Sequence, residues 1–201
     1  YSVALGGSAG MTTQGNYSVA IGRLAGEATQ GLEAVAIGKS AGNDTQGASA
    51  VAIGNAAGDT TQGAQAIAIG ENAGETSQGQ FGIAIGTSAG NGAQGSNSVA
   101  VGTSAGYATQ GAQAVAVGPG AGSTNQGGYT VAVGSAAGDD DQGTYAVAVG
   151  WMAGKTTQGN YSIAIGREAG KTNQAANSIV INATGVSLEN IVEDVFVVKP
   201  V

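Results

Sequence analysis

The glycine that closes each Val-Ala-Ile-like run returns every 16 residues, at Gly6, Gly22, Gly38, Gly54 and onward to Gly166, without one insertion or deletion. The next expected place holds Asn182, in the degenerate copy Ser178-Ile179-Val180-Ile181-Asn182. A strict short period is the signature of stacked units that bury their faces on their neighbours. Such a unit is too short for a strand-helix repeat. It suits one coil with two short strands and two bends. The expected class is therefore all-β, a parallel β-roll or solenoid over residues 1–182, with a different segment over 183–201.

Composition narrows the functions this stack can serve. Charged residues make up 9% of the 201, only 6 are basic, and the net charge is −7. Nucleic-acid binding rests on clustered Lys and Arg, so no nucleic-acid partner is expected. The chain has no Cys and no His. It therefore lacks thiolate and imidazole ligands and the commonest general base. Neither a nucleophile elbow nor a P-loop lysine occurs. The reading is a non-enzyme with no cofactor and no metal. Asp139-Asp140-Asp141 is the one acidic run. Three carboxylates could hold Ca²⁺, but the Gly-Gly-x-Gly-x-Asp nonapeptide of calcium rolls is absent, and a solvated turn is expected. No apolar run approaches ~20 residues, so no membrane insertion is expected. The chain opens at Tyr1 inside a repeat, which reads as a fragment of something longer.

One coil, Tyr17 to Leu32, serves as the template. Ser18 to Gly22 alternates with period two, a strand signal in which Val19 and Ile21 share one face and Ser18, Ala20 and Gly22 the other. Size and hydrophobicity place the branched columns, Val3 to Ile179 and Leu5 to Ile181, inside the roll. Ala9, Ala25, Ala41 and their equivalents through Ala169 are expected to face in from the opposite wall. That leaves an outer strip of Ala20, Ala36, Ala52, Ala68, Ala84, Ala100, Ala116, Ala132, Ala148 and Ala164. A solvent face drifts in composition and this strip does not. It is read as the contact between chains of a parallel homotrimer.

Other columns carry candidate chemistry. Gln14 and its equivalents through Gln174 form an unbroken file. Stacked amides can hydrogen-bond along such a file, so its role is read as structural rather than ligand-binding. Tyr1, Tyr17, Phe81, Tyr129, Tyr145 and Tyr161 precede the strand. The last three fall in consecutive coils and could stack, as a ladder or as a sugar platform. Tyr107, Trp151 and Met152 stand where other coils carry small or polar residues, and are expected on the surface. Candidate ligand-binding residues are thus Trp151, Met152, Tyr107, Tyr129, Tyr145 and Tyr161. Thr before Gln, as in Thr12-Thr13 and Thr60-Thr61, raises an ice-binding solenoid as an alternative, though Asp44, Gly92, Ala93 and Asp140-Asp141 break that array.

Ser18-Val19-Ala20-Ile21-Gly22 and Asn97-Ser98-Val99-Ala100-Val101-Gly102 resemble the Asn-Ser-Val-Ala-Ile-Gly motif of trimeric autotransporter adhesin heads. The resemblance implies left-handed parallel β-rolls, three identical chains and binding to host surface molecules. The longer form, Ala-Ile-Gly-x-x-Ala-Gly-x-x-x-Gln-Gly, is similar to repeat fibre proteins of large DNA viruses of algae and protists and to some phage tail fibres. Asp194-Val195-Phe196-Val197-Val198-Lys199-Pro200-Val201 is similar to the connector that precedes a self-cleaving chaperone domain in those fibres, which would make 183–201 a trimerising cap. The resulting expectation is a trimeric viral or phage fibre segment on a virion surface or otherwise extracellular. It would bind a host cell-surface glycan or protein. A bacterial adhesin head and a purely structural spacer are the alternatives.

Overall fold

The computed structural model describes residues 1–199; Pro200 and Val201, the end of the connector-like segment, lie outside the described residues. The chain divides into two compact units, Tyr1–Ser98 and Val99–Val201. Each is a parallel β-solenoid of 16-residue coils, and no helix occurs among the described residues. Every full coil gives a major strand, such as Val19–Ile21, and a minor strand, such as Thr29–Gln30. In the first unit the major strands run from Val3–Leu5 to Ile83–Ile85 and the minor strands from Thr13–Gln14 to Ala93–Gln94. In the second unit they run from Val99–Val101 to Ile179–Asn182 and from Thr109–Gln110 to Thr172–Gln174. Register advances one coil per step: Val19 pairs with Val35, Ala20 with Ala36, Ile21 with Ile37, and Gln30 with Gln46.

Two bends flank each major strand. In Gly31-Leu32-Glu33-Ala34 the Ala34 N–H donates to the Gly31 carbonyl at 3.4 Å, and Glu33 has φ 58°. In Gly38-Lys39-Ser40-Ala41 the Ala41 N–H donates to Gly38, and Ser40 has φ 55°. A positive φ at the third residue is the type II pattern, a place that favours Gly. Here it holds Tyr17, Leu24 and Ala56 in other coils. Left-handed backbone costs a side-chain-bearing residue ~1–2 kcal/mol. Stacking holds it in place, because each such residue donates its N–H to the preceding coil: Glu33 to Asn16 and Ser40 to Arg23, both at 2.9 Å.

The interior reverses the expected sense of the major strand. Ala20, Ala36, Ala52, Ala68, Ala84, Ala100, Ala116, Ala132, Ala148 and Ala164 are 0% exposed within their own chain. They line the lumen and are unavailable to a second chain, which corrects their assignment as a trimer interface. The branched columns face out, with Ile37, Ile53 and Ile69 each 36% exposed. The expected alternation holds, but volume rather than hydrophobicity sets its direction. The Ala25 column is buried from the opposite wall, as expected.

The lumen is narrow because a glutamine spans it. From the minor strand, Gln30 Nε2 donates to the Val19 carbonyl at 2.7 Å, and Gln46 and Gln62 reach Val35 and Val51 at 2.8 Å. Amides also bond along the stack, Gln46 to Gln62 and Gln62 to Gln78 at 3.1 Å, and Gln142 to Gln158 at 3.0 Å. The file is thus structural, and it is buried. Gly26 fits beneath it for two reasons. Its φ is +53°, and a Cβ there would sit 2.9 Å from Gln30 Cδ. A Val or Ile pointing inward would occupy the space the amide crosses.

The period breaks at Asn182. Its Nδ2 donates to the carbonyls of Arg167 at 2.7 Å and Val186 at 2.6 Å, and its Oδ1 accepts from Thr184 N and Oγ1. This knot starts an irregular excursion that touches the last coil through Leu188, whose carbonyl accepts from Gly170 N. The chain returns as the strand Phe196–Lys199, paired parallel to Ile179–Asn182 with Phe196 opposite Ile179 and Val198 opposite Ile181. Val180 takes the lumen place of the Ala column and is fully buried.

Gln62→Leu keeps the bulk but removes the bridge to Val51 and leaves buried Gln78 Oε1 without its donor. The expected cost is about 1–3 kcal/mol, read as a lower urea midpoint. Thr61→Val, one residue away and facing out, is expected to stay within ~0.5 kcal/mol.

Candidate functional site

The second unit carries the six candidate ligand residues, and the coil distributes them over three corners. Tyr129, Tyr145 and Tyr161 occupy the third place of the bend before the major strand, with φ 57–60°. Their rings stack in register: Tyr129 on Tyr145 at 4.9 Å and 9°, Tyr145 on Tyr161 at 5.1 Å and 6°. The expected ladder therefore forms. Stacking also occupies the faces between the rings, so a sugar could lie flat only on the outer faces of Tyr129 and Tyr161. Tyr107 stands at another corner, on the approach to Thr109–Gln110, and is exposed.

Trp151 and Met152 lie in the bend after the major strand, Gly150-Trp151-Met152-Ala153. Met152 takes the left-handed place, with φ 55°. Trp151 is 41% exposed. Strict register makes Thr103, Pro119, Ser135, Trp151 and Arg167 one file: Gly120 N donates to Thr103, Ala136 N to Pro119, Met152 N to Ser135 and Glu168 N to Trp151, at 2.8–3.0 Å. The Arg167 guanidinium lies over the indole at 4.8 Å. Glu168 holds both Arg167, at 3.9 Å, and Lys171, at 3.5 Å. Sequence reading singled out Trp151 but missed Arg167. The one-coil offset between residues 151 and 167 was the available signal.

The first unit carries a second file, Asn43, Asp59, Glu75 and Asn91, before the minor strands. Asn91 Nδ2 donates to Glu75 Oε2 at 2.6 Å. Partial burial raises the Asp59 carboxyl above its ordinary range. A hydrogen bond from Asn43 opposes that shift, while the charges of Glu75 and Asp44 add to it. Burial likewise raises Asp139, against the pull of Lys155. In the Asp139–Asp141 run, Asp141 accepts from Asn125 at 2.9 Å. Among the described residues no group of three or more acidic side chains is placed to hold a metal ion. On the minor strands the outward file reads Thr13, Thr29, Thr45, Thr61, Ser77, Ala93. The rank before it reads Thr12, Ala28, Asp44, Thr60, Thr76, Gly92 and is broken by Asp44 and Gly92, which is poor support for the ice-binding alternative.

Residues 142–169 match the YadA head domain repeat in two copies. That stretch contains the strands Val147–Val149 and Ile163–Ile165, the Trp151–Arg167 pair and two of the stacked tyrosines. These coils are therefore similar to a trimeric adhesin head repeat. No curated protein and no solved structure matches the chain. Among the described residues no helix is long and apolar enough to cross a membrane.

Two outcomes are expected. A raised Asp59 value means the folded chain binds the proton more tightly than the unfolded chain does. Stability from this group is present below the ordinary Asp range and is lost as pH rises through the folded value. Asp59→Asn should therefore raise the unfolding midpoint at pH 7, with the advantage over the parent closing on acidification. Separately, Tyr145→Ala breaks two stacked pairs and should cost ~1–3 kcal/mol at ~0.5–1.5 kcal/mol per pair, more than Tyr107→Ala in the same melt.

Proposed function

We propose that this chain is a non-catalytic, adhesin-like segment of a homotrimeric attachment fibre. Its interface between chains would be the outward Val and Ile columns. The observation that carries this reading is the outward placement of two β-branched residues per coil, in register and partly exposed, as an unbroken apolar strip along the major sheet. Contiguous apolar strips of this kind mark interaction surfaces. Strands packed through one face in the same direction form a heterologous contact, which makes a ring where the rotation between copies closes, and the match to an adhesin head repeat supports three copies. Phe196 and Val198 prolong the two columns onto the final strand, consistent with a cap at which the chains meet.

The fibre would act outside a cell or on a virion surface, presenting weak contacts in triplicate and gaining avidity from their number. The 16-residue form of the repeat and the connector-like end favour a viral or phage fibre. The adhesin-head match keeps a bacterial adhesin head as the second reading. The coding sequence beyond Val201 separates them: a chaperone domain supports the former, a coiled-coil stalk and membrane anchor the latter.

Light scattering coupled to size exclusion should give three times the 19.1 kDa chain mass. Ile53→Glu with Ile69→Glu places charges on the outward columns and should yield a folded monomer by circular dichroism. A parent that is itself monomeric would remove the trimer reading.

A further inference from the structure

We infer that the Trp151 bend is a binding site for a neutral pyranose, held in a one-coil slot between the indole and Pro119 with Ser135 as its floor. The inference rests on the reading of the chain as an attachment fibre, to which it gives a ligand class and a location.

The slot follows from register. Arg167, from the coil on one side, covers one face of the indole at 4.8 Å. The opposite face points to the coil on the other side, where the same place holds Ser135, joined through Met152 N at 3.0 Å. Serine is far smaller than the indole, so the neighbouring coil sets no side chain of matching size against that face, and the same place one coil further holds Pro119. Ser135 and Pro119 are both exposed. Indole and proline are two strand steps apart, about 9.6 Å at ~4.8 Å per step. A ring in contact with both walls needs about 3.5–4.0 Å on each side. The remainder suits a puckered saturated ring better than a flat aromatic one.

Chemistry narrows the ligand further. An indole face takes the C–H side of a sugar, and the floor offers the Ser135 hydroxyl, both donor and acceptor. Thr103, Pro119 and Ser135 bring no charge to the slot. Arg167, the cation on the indole, lies against its covered face and within 3.9 Å of Glu168, which also holds Lys171. A carboxylate-bearing sugar therefore finds no partner there. The tyrosine stack differs, because its members cover one another.

Trp151 is the single tryptophan of the chain, so indole emission reports this slot alone. The full chain is titrated with neutral oligosaccharides of glucose, galactose, mannose and N-acetylglucosamine and with their sialylated forms, and native mass is recorded on the same samples. At least one neutral saccharide should change the emission saturably. On an array of the same sugars, Trp151→Ala and Ser135→Tyr should each weaken binding at least tenfold. The serine variant keeps the indole and fills the slot, and circular dichroism checks both folds. No response across the panel, binding restricted to sialylated sugars, or binding that survives Ser135→Tyr would overturn the site. A monomeric mass with a saturable response would remove the trimer and leave the slot standing.

Discussion

One amide bridge per coil governs the structure. A glutamine on the minor strand crosses the lumen to a carbonyl on the major strand, and its length sets how far apart the two sheets stand. Alanine on both walls follows from that separation, and so does glycine beneath the amide. The bridge also accounts for the strict period. One added residue would turn the amide outward and set a neighbouring side chain into a space it cannot fill. Buried polar groups specify a single arrangement only when their partners are present, and each Nε2 meets its carbonyl only with its coil in register.

With the interior given to alanine and amides, the large apolar residues have no place inside. Val and Ile form the outer surface of the major sheet, where each chain alone leaves them partly wet. A fold of this kind gains less than usual from its own core. Its backbone ladders, side-chain files and the proposed contact between chains must supply more. The left-handed bends fit the same scheme. Their local cost is borne by hydrogen bonds to the preceding coil, so a bend is stable in a stack and poor in isolation.

Much of this was legible in the sequence. The glycine period gave the coils, alternation gave the strands, and consecutive tyrosines gave the ladder. The direction of the major strand was not legible. Alternation says which residues share a face, and Val19 and Ile21 are the larger and greasier pair. Only the width of the lumen excludes them from it, and that width depends on where the Gln30 amide ends. The knot around Asn182 was equally hidden. Its four hydrogen bonds replace a glycine corner with a side-chain-organised one. The Trp151–Arg167 pair falls between these cases, because residues far apart in sequence become neighbours only once the one-coil offset is applied.

Within each unit the corners of a regular coil lie against the same corners of the next. The surroundings of a residue are therefore set by what occupies its own place one coil earlier and one coil later, as beads on parallel wires meet only their neighbours on that wire. Trp151 between Ser135 and Arg167 is one such local contrast, and the three tyrosines are a run without contrast. Recognition on this scaffold is written in differences between adjacent copies. A single substitution in either flanking coil can open, close or recharge a site while the lumen that holds the chain together stays unchanged.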